Sequence, residues 1–415
     1  MHRKYLILYN MYPLYIDPGT GSALFSIIIG IAATSYFFLR ALLLKFKNAF
    51  HGKNIPSDNF IYKYVIYCEG KQYWNVFKTT VEEFEYNNTE LCYLTSSSDD
   101  PVFETSWNYI KPFYIGEGNK AFAYLNFLSA EFVLSTTPHL EVFQWKRSKT
   151  VKHYSHVLHS SADVTTYKLF GLDYFDSVLL SGDYQINDIR FLEKQRELPE
   201  KTLITVGCSY LDVYYDKINQ IPSEENHQFT VLVSPSWGPS ALLSRYGYKL
   251  LDPLSNSNMR IIIRPHPQSL KSENQILKTL KDRYKDKNNI IWNYERENIF
   301  ILKKTDIMIS DFSGIIYDFM FLCDKPVLYV KNKFDPAPYD ADDIDHELWQ
   351  FKVLKDAGIE LKEDDFPRII DVIKNTSDNE TLKIKRKEAK DTAWQHQGNA
   401  GRNIFNFLLR TTESV

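Results

Sequence analysis

DIMISDFSGIIYDFMFLCDKPVLYV, residues 306–330, reads as strand, turn, helix, strand. DIMIS (306–310) and PVLYV (326–330) are short apolar runs, and residues 312–322 between them form a helix candidate. Two strands joined by a crossover helix lie parallel in one sheet. Continuous apolar runs mark strands covered on both faces. Upstream, FTVLVS (229–234), MRIIIRP (259–265) and NIIWN (289–293) extend the series, with further helix candidates at 240–248, 269–286 and 365–375. An earlier series comprises YVIYCE (64–69), LCYLT (91–95), EFVLST (131–136), HYSHVLH (153–159) and SVLLSG (177–182), with helical periodicity over 73–86. The polar stretch IPSEENHQ (221–228) separates the two series. Alternating strands and helices predict an α/β chain with two parallel-sheet halves, 60–220 and 228–412, facing a cleft. A last helix, about 399–409, is expected to pack back across the first half.

The 415 residues are 44% hydrophobic and 24% charged, ordinary for a globular chain with sizeable cores. With 49 basic against 52 acidic residues, no single-sign surface is forced, so nucleic acid is not an expected partner. Cys68, Cys92, Cys208 and Cys323 form no CxxC pair. That spacing argues against a zinc site or disulfide framework and fits a reducing compartment.

Beyond an N-terminal segment, 1–21, the stretch SALFSIIIGIAATSYFFL (22–39) carries no charge over 18 positions, and ALLL continues it to residue 44. At 1.5 Å per residue, 22–44 spans a hydrocarbon core of about 30 Å. Lys45, Lys47 and Lys53 follow it directly, which by the positive-inside tendency places the rest of the chain in the cytoplasm. The expectation is a single-pass protein of the cell membrane with a cytoplasmic catalytic part.

In open parallel sheets, ligands bind beyond the carboxyl ends of the strands. Three motifs fall at such ends. After DIMIS, residues Ser310, Asp311, Ser313 and Gly314 stand where strand turns into helix. Unpaired N–H groups and the helix dipole there favour an anion such as a phosphate. Asp311 and Ser313 would equally serve as plain helix caps. Asp318, two helical turns after Asp311, is expected to share its face in a supporting role. The second motif is RPHP (264–267), in which Arg264 supplies a permanent positive fork and the prolines fix the backbone around His266. The third is VLHSSAD (157–163), where His159 ends a strand of the first half. Strand alternation puts His153 and His159 on one face and His156 on the other. One imidazole on each wall of a cleft suits proton abstraction on one side and phosphate stabilisation on the other. The acidic run at 340–345 reads as a solvated loop rather than a cation site.

RPHP, SDFSGIIYDFMFLCDKPVLYV (310–330), His159 and the TVGCSYLD turn (205–212) together resemble the CDP-glycerol glycerophosphotransferases of teichoic-acid and related glycan synthesis. YCEGKQYWNVFK (67–78) is similar to that family's start. The resemblance implies a glycosyltransferase-B-like fold, CDP-glycerol as donor, release of CMP, and neither cofactor nor catalytic metal. It implies His159 as base, His266 as the phosphate-facing histidine, and Ser310, Asp311 and Ser313 as the donor phosphate loop. The acceptor would be a hydroxyl of a cell-surface glycan or lipid-linked molecule. Two departures bear on that acceptor. The family's polymerases often carry Trp-His-Gly with a nearby lysine, whereas Leu158-His159-Ser160 is followed by no lysine until Lys168. A membrane span also replaces their basic amphipathic surface helices. A UDP-sugar glycosyltransferase or epimerase on the same fold, and a catalytically silent membrane-bound scaffold, remain the rival readings. CDP-ribitol or another CDP-alcohol, and single addition or chain extension, stay open as well.

Overall fold

The computed structural model describes residues 61–414 apart from 223–227, 296, 333 and 378. The expected span at 22–44 lies outside the described residues. Among those described, no helix is long and apolar enough to cross a membrane.

Two parallel sheets organise the chain. The first contains β1 (Tyr62–Cys68), β2 (Leu91–Thr95), β3 (Ile110–Tyr114), β4 (Ala130–Ser135), β5 (Val151–Val157), β6 (Ser177–Leu180) and β7 (Thr202–Thr205). Its order is β3-β2-β1-β4-β5-β6-β7. The second contains β8 (Thr230–Val233), β9 (Arg260–Ile263), β10 (Ile290–Trp292), β11 (Ile307–Ser310), β12 (Val327–Tyr329) and β13 (Ile359–Glu360), in the order β10-β9-β8-β11-β12-β13. Each order reverses once, between β1 and β4 and between β8 and β11. Loops leaving the carboxyl ends of those strand pairs diverge there, which opens a crevice for a ligand.

Burial on both faces explains why the central strands carry no polar alternation. All four residues of β8 and of β11 are buried. Ile307 and Ile309 pack with Val231, Val233 and Leu250 on one side. Met308 packs with Leu232, Ile262 and Phe319 on the other. A one-residue slip would exchange these two sets.

The chain's end returns to the first sheet. The helix Ala400–Ser414 lies on the helix Trp74–Tyr86, with Phe405 perpendicular to Phe84 at 4.9 Å and Ile404 and Leu408 buried beside them. Asp212 pins the crossing. Its carboxylate accepts from Trp394 Nε1 and Gly398 N at 2.8 Å and from Ala400 N at 3.1 Å. Gly207, in the TVGCSYLD turn, has φ +99°, and a Cβ there would stand 2.6 Å from the carbonyl of Gln395. The turn singled out in the sequence therefore seats the returning chain.

Contacts between the halves include the connections that follow β5 and β12. Lys168, beyond β5, makes an antiparallel bridge with Tyr339, beyond β12. Arg196, nearly buried, pairs with Asp173 of its own half and with Asp340 and Asp343 of the other. This corrects the reading of 340–345 as a solvated run at Asp340 and Asp343, while Asp342 and Asp345 are exposed as expected. Asp340 is buried, binds Arg196, and accepts from the Phe170 and Gly171 amides at 2.7 and 3.2 Å.

Candidate active site

The switch point of the second sheet is built from two loops, 234–241 after β8 and 310–314 after β11. Ser310 and Asp311 belong to this region, but their side chains brace it. The hydroxyl of Ser310, fully buried, donates to the Ser234 carbonyl. Asp311 is 1% exposed, and its two oxygens accept from Ser236 N and Leu242 N, both at 2.8 Å. Burial raises its carboxyl above the ordinary range, while the two amides pull the other way. The sequence reading assigned both residues to the donor phosphate loop; their side chains are engaged within the protein. Neighbouring strands β8 and β11 bring loop 234–241 and the helix Leu242–Ser255 within reach, and the buried amides of Ser236 and Leu242 donate to the two carboxylate oxygens.

Ser313 and Gly314 are different. Ser313 is half-buried and Gly314 exposed, and nothing lies within 4 Å of where a Gly314 Cβ would be. The helix Ile315–Cys323 begins here with no side-chain cap. Ile316 N and Tyr317 N close the turn on the Ser313 and Gly314 carbonyls, both at 3.1 Å, which leaves the Gly314 and Ile315 amides as the donors beside an accessible hydroxyl.

Asp318 does not share a face with Asp311, which precedes the helix. It lies in the first turn, and the Tyr210 hydroxyl of the helix Ser209–Gln220 donates to it. Burial pushes Asp318 up to about 7. Its position is a contact between the halves.

Arg264 extends the ladder through its amide to Val233 O at 2.9 Å, and its guanidinium binds Asn293 beyond β10. Two residues on, His266 Nδ1 accepts from Gln268 N at 3.1 Å. Burial lowers the pKa of His266, with Glu273 and Asp311 opposing. The neutral ring must therefore carry its proton on Nε2, as a donor. Trp237, half exposed, lies 6.4 Å from the His266 ring at a 30° tilt. Gly238 follows with φ +98° and open space at its Cβ position. The sequence reading passed over SPSWGPSA (234–241), although its Pro-Gly punctuation directly after an apolar strand was a usable signal.

In the first half, β5 ends at Val157, so His159 stands two residues beyond the sheet. Strand alternation cannot be extended to it. His153 stacks on Phe132 at 4.8 Å and approaches Phe407 at 6.5 Å. His156, fully buried, packs against Tyr167 and Phe175. His159 Nδ1 lies 3.1 Å from Thr136 Oγ1 and 3.1 Å from the Tyr167 hydroxyl, and Tyr73 leans over the ring at 5.2 Å. Tyr167 also reaches His156, so the two histidines that alternation separates meet at one phenol. Burial lowers the pKa of His159, with the Thr136 backbone opposing. It is a neutral imidazole at neutral pH. Among the described residues no hydrogen bond or ion pair joins His159 to the His266 cluster; they stand on separate halves. Thr136 and Tyr167 were invisible as site residues in the sequence.

Comparison with known proteins adds the following. The family model described as CDP-Glycerol:Poly(glycerophosphate) glycerophosphotransferase matches residues 183–410, more than half of the chain. No curated protein matches it. Among solved structures, the chain is similar to the wall teichoic acid polymerase TagF at 14% identity and a TM-score of 0.53, covering 91% of this chain and 98% of that one. It is similar to a putative UDP-N-acetylglucosamine 2-epimerase from Listeria monocytogenes at 11% identity and 0.58, covering 86% and 98%. A UDP-GlcNAc 2-epimerase from Methanocaldococcus jannaschii, in complex with UDP-GlcNAc and UDP, follows at 12% and 0.53, covering 85% and 100%. At these identities the likeness is one of fold, an α/β glycosyltransferase-B-like arrangement of two parallel sheets.

Proposed function

The chain belongs to the CDP-glycerol:poly(glycerophosphate) glycerophosphotransferase family, and from that premise we propose that two strand-end histidines divide the work of moving glycerol phosphate from CDP-glycerol to a glycan hydroxyl. The acceptor oxygen attacks the β-phosphorus as His159 removes its proton. The bond from that phosphorus to the bridging oxygen breaks, and CMP departs with the electron pair. His266 donates from Nε2 to the phosphate oxygens. Arg264, the Ser313 hydroxyl and the amides of Gly314 and Ile315 meet the growing charge. Ser310 and Asp311 shape the loop beneath them, and Asp318 supports the helix from the other side. This is phosphoryl transfer by positioning and electrostatics, with no resident cofactor or metal assigned.

One observation carries the division of labour. The Gln268 amide at 3.1 Å from His266 Nδ1 makes that ring an Nε2–H donor beside an uncapped helix start. A donor suits a phosphate and cannot serve as a base. The proton must go to another group, and His159 is a neutral imidazole at a strand end of the other half.

We further propose that residues 22–44 anchor the protein in the cell membrane with the catalytic part in the cytoplasm. The uncharged run and the lysines after it support this topology. A glycan or lipid-linked acceptor at the membrane surface then lies within reach.

The test is a donor panel. Detergent-solubilised full chain is incubated with a glycan acceptor and CDP-glycerol, CDP-ribitol or UDP-sugars. CMP released only with acceptor present, alongside acceptor-bound glycerol phosphate, is the expected result. UDP release would establish a glycosyltransferase or epimerase instead, and no turnover with any donor a silent scaffold.

A further inference from the structure

His159 is held at one nitrogen only, and the protons around it can be counted. Thr136 Oγ1 has a single hydrogen, which it donates to the Val157 carbonyl at 2.7 Å. At 3.1 Å from His159 Nδ1 the same oxygen is left as an acceptor, which favours the ring proton on Nδ1. The Tyr167 hydroxyl lies 3.1 Å from that Nδ1 and 3.0 Å from His156 Nε2. With Nδ1 protonated, Tyr167 accepts from His159 and sends its own proton to His156 Nε2. His156 then carries its proton on Nδ1, a buried atom with no hydrogen-bond partner among the described residues. Burial holds His156 well below the ordinary histidine range, so it stays neutral and keeps an acceptor lone pair for Tyr167.

We propose that Thr136, Tyr167 and His156 are positioning residues that fix the tautomer of His159, leaving Nε2 as the lone pair offered to the acceptor hydroxyl. This deepens the reading of His159 as base and rests on it. No described residue forms a hydrogen bond at His159 Nε2. The network gives His159 the tautomer opposite to that of His266, as a base and a phosphate donor require.

Tyr167 is itself fixed by the other half. Its carbonyl accepts from Asp340 N at 2.8 Å, Leu169 N donates to Pro338 O at 3.3 Å, and Phe170 N donates to Asp340 Oδ1 at 2.7 Å. The phenol that sets the base thus sits on a segment gripped by the half that holds the donor loops.

The experiment is a long-range 1H–15N correlation spectrum of the full chain labelled with 15N-histidine, with His159→Gln identifying the resonances of interest. The expected pattern is a protonated Nδ1 and an unprotonated Nε2. Thr136→Val removes the obligate acceptor at nearly constant volume and frees Tyr167 to donate to Nδ1. The spectrum should then show an Nε2–H form, and kcat should fall by about 10² while KM for CDP-glycerol stays within about twofold. Thr136→Ser should restore both. A wild-type spectrum with Nε2 protonated overturns the proposal without need of any variant. So does a Thr136→Val enzyme with unchanged kcat while His159→Gln is inactive. If His159→Gln itself retains full turnover, the base assignment fails, and the spectrum still reports separately on the tautomer.

Discussion

Removing the Asp311 carboxylate should destabilise the fold before it affects chemistry. The residue is 1% exposed, and each oxygen accepts one backbone N–H at 2.8 Å. A hydrogen bond to a charged group contributes about 1.5–3 kcal/mol net, so two give about 3–6 kcal/mol. The burial that raises the carboxyl pKa opposes this, which favours the lower end, about 3 kcal/mol. Asp311→Ala would also leave the buried amides of Ser236 and Leu242 without an acceptor. Domain stabilities are typically about 5–15 kcal/mol, so the loss is a large fraction of the whole. Asp311→Asn keeps one acceptor and should lose roughly half as much. Urea denaturation of the full chain in detergent, followed by tryptophan fluorescence, measures both. A stability within about 0.5 kcal/mol of wild type, together with a raised KM for CDP-glycerol, would refute the brace and return Asp311 to the donor.

Other expectations are independent of that brace. Ser313→Ala should raise KM for CDP-glycerol by about 10- to 100-fold with unchanged melting, since a hydroxyl contact to a charged phosphate is worth about 1.5–3 kcal/mol; steady-state kinetics and a thermal melt check it. Because burial lowers the pKa of His159, the acid limb of the kcat profile should lie below the ordinary histidine value of about 6.5, which a pH–rate series reads directly. Asp345 and Asp188 raise the pKa of His346 above its unfolded value, so its stabilising contribution is present at low pH and lost as pH rises through the folded value. The melting difference between wild type and His346→Gln should be largest near about pH 6, where Asp188, pushed up to about 6 by burial, is still partly charged, and should close by about pH 9.

The fold was legible where burial removes polar alternation. β8, β9, β11 and β12 are short apolar runs bounded by turns, and the crossover helix between β11 and β12 forces their parallel pairing. The strands missing from the sequence reading, β3, β7 and β13, are edges of their sheets. An edge strand keeps polar or exposed positions, and β3 even tolerates Pro112, so the apolar-run signal fades there. At the site, the rule of strand carboxyl ends located both histidines and the Ser313–Gly314 turn. It could not say which way Ser310 and Asp311 point, because that depends on β8 lying beside β11, a pairing across about 75 residues. His156 was set apart from His159 by an alternation that stops when the chain leaves the sheet at Val157. Thr136 and Tyr167 acquire their role only once β4 and the loop after β5 are folded together.

The most direct test of the account is the acceptor-dependent release of CMP from CDP-glycerol by His159→Ala, measured beside donor binding to the same protein. Loss of a general base costs about 10² to 10⁴ in rate, so turnover should fall by that order while the Kd for CDP-glycerol stays within about twofold of wild type. Wild-type turnover in His159→Ala, with donor binding intact, would contradict the account.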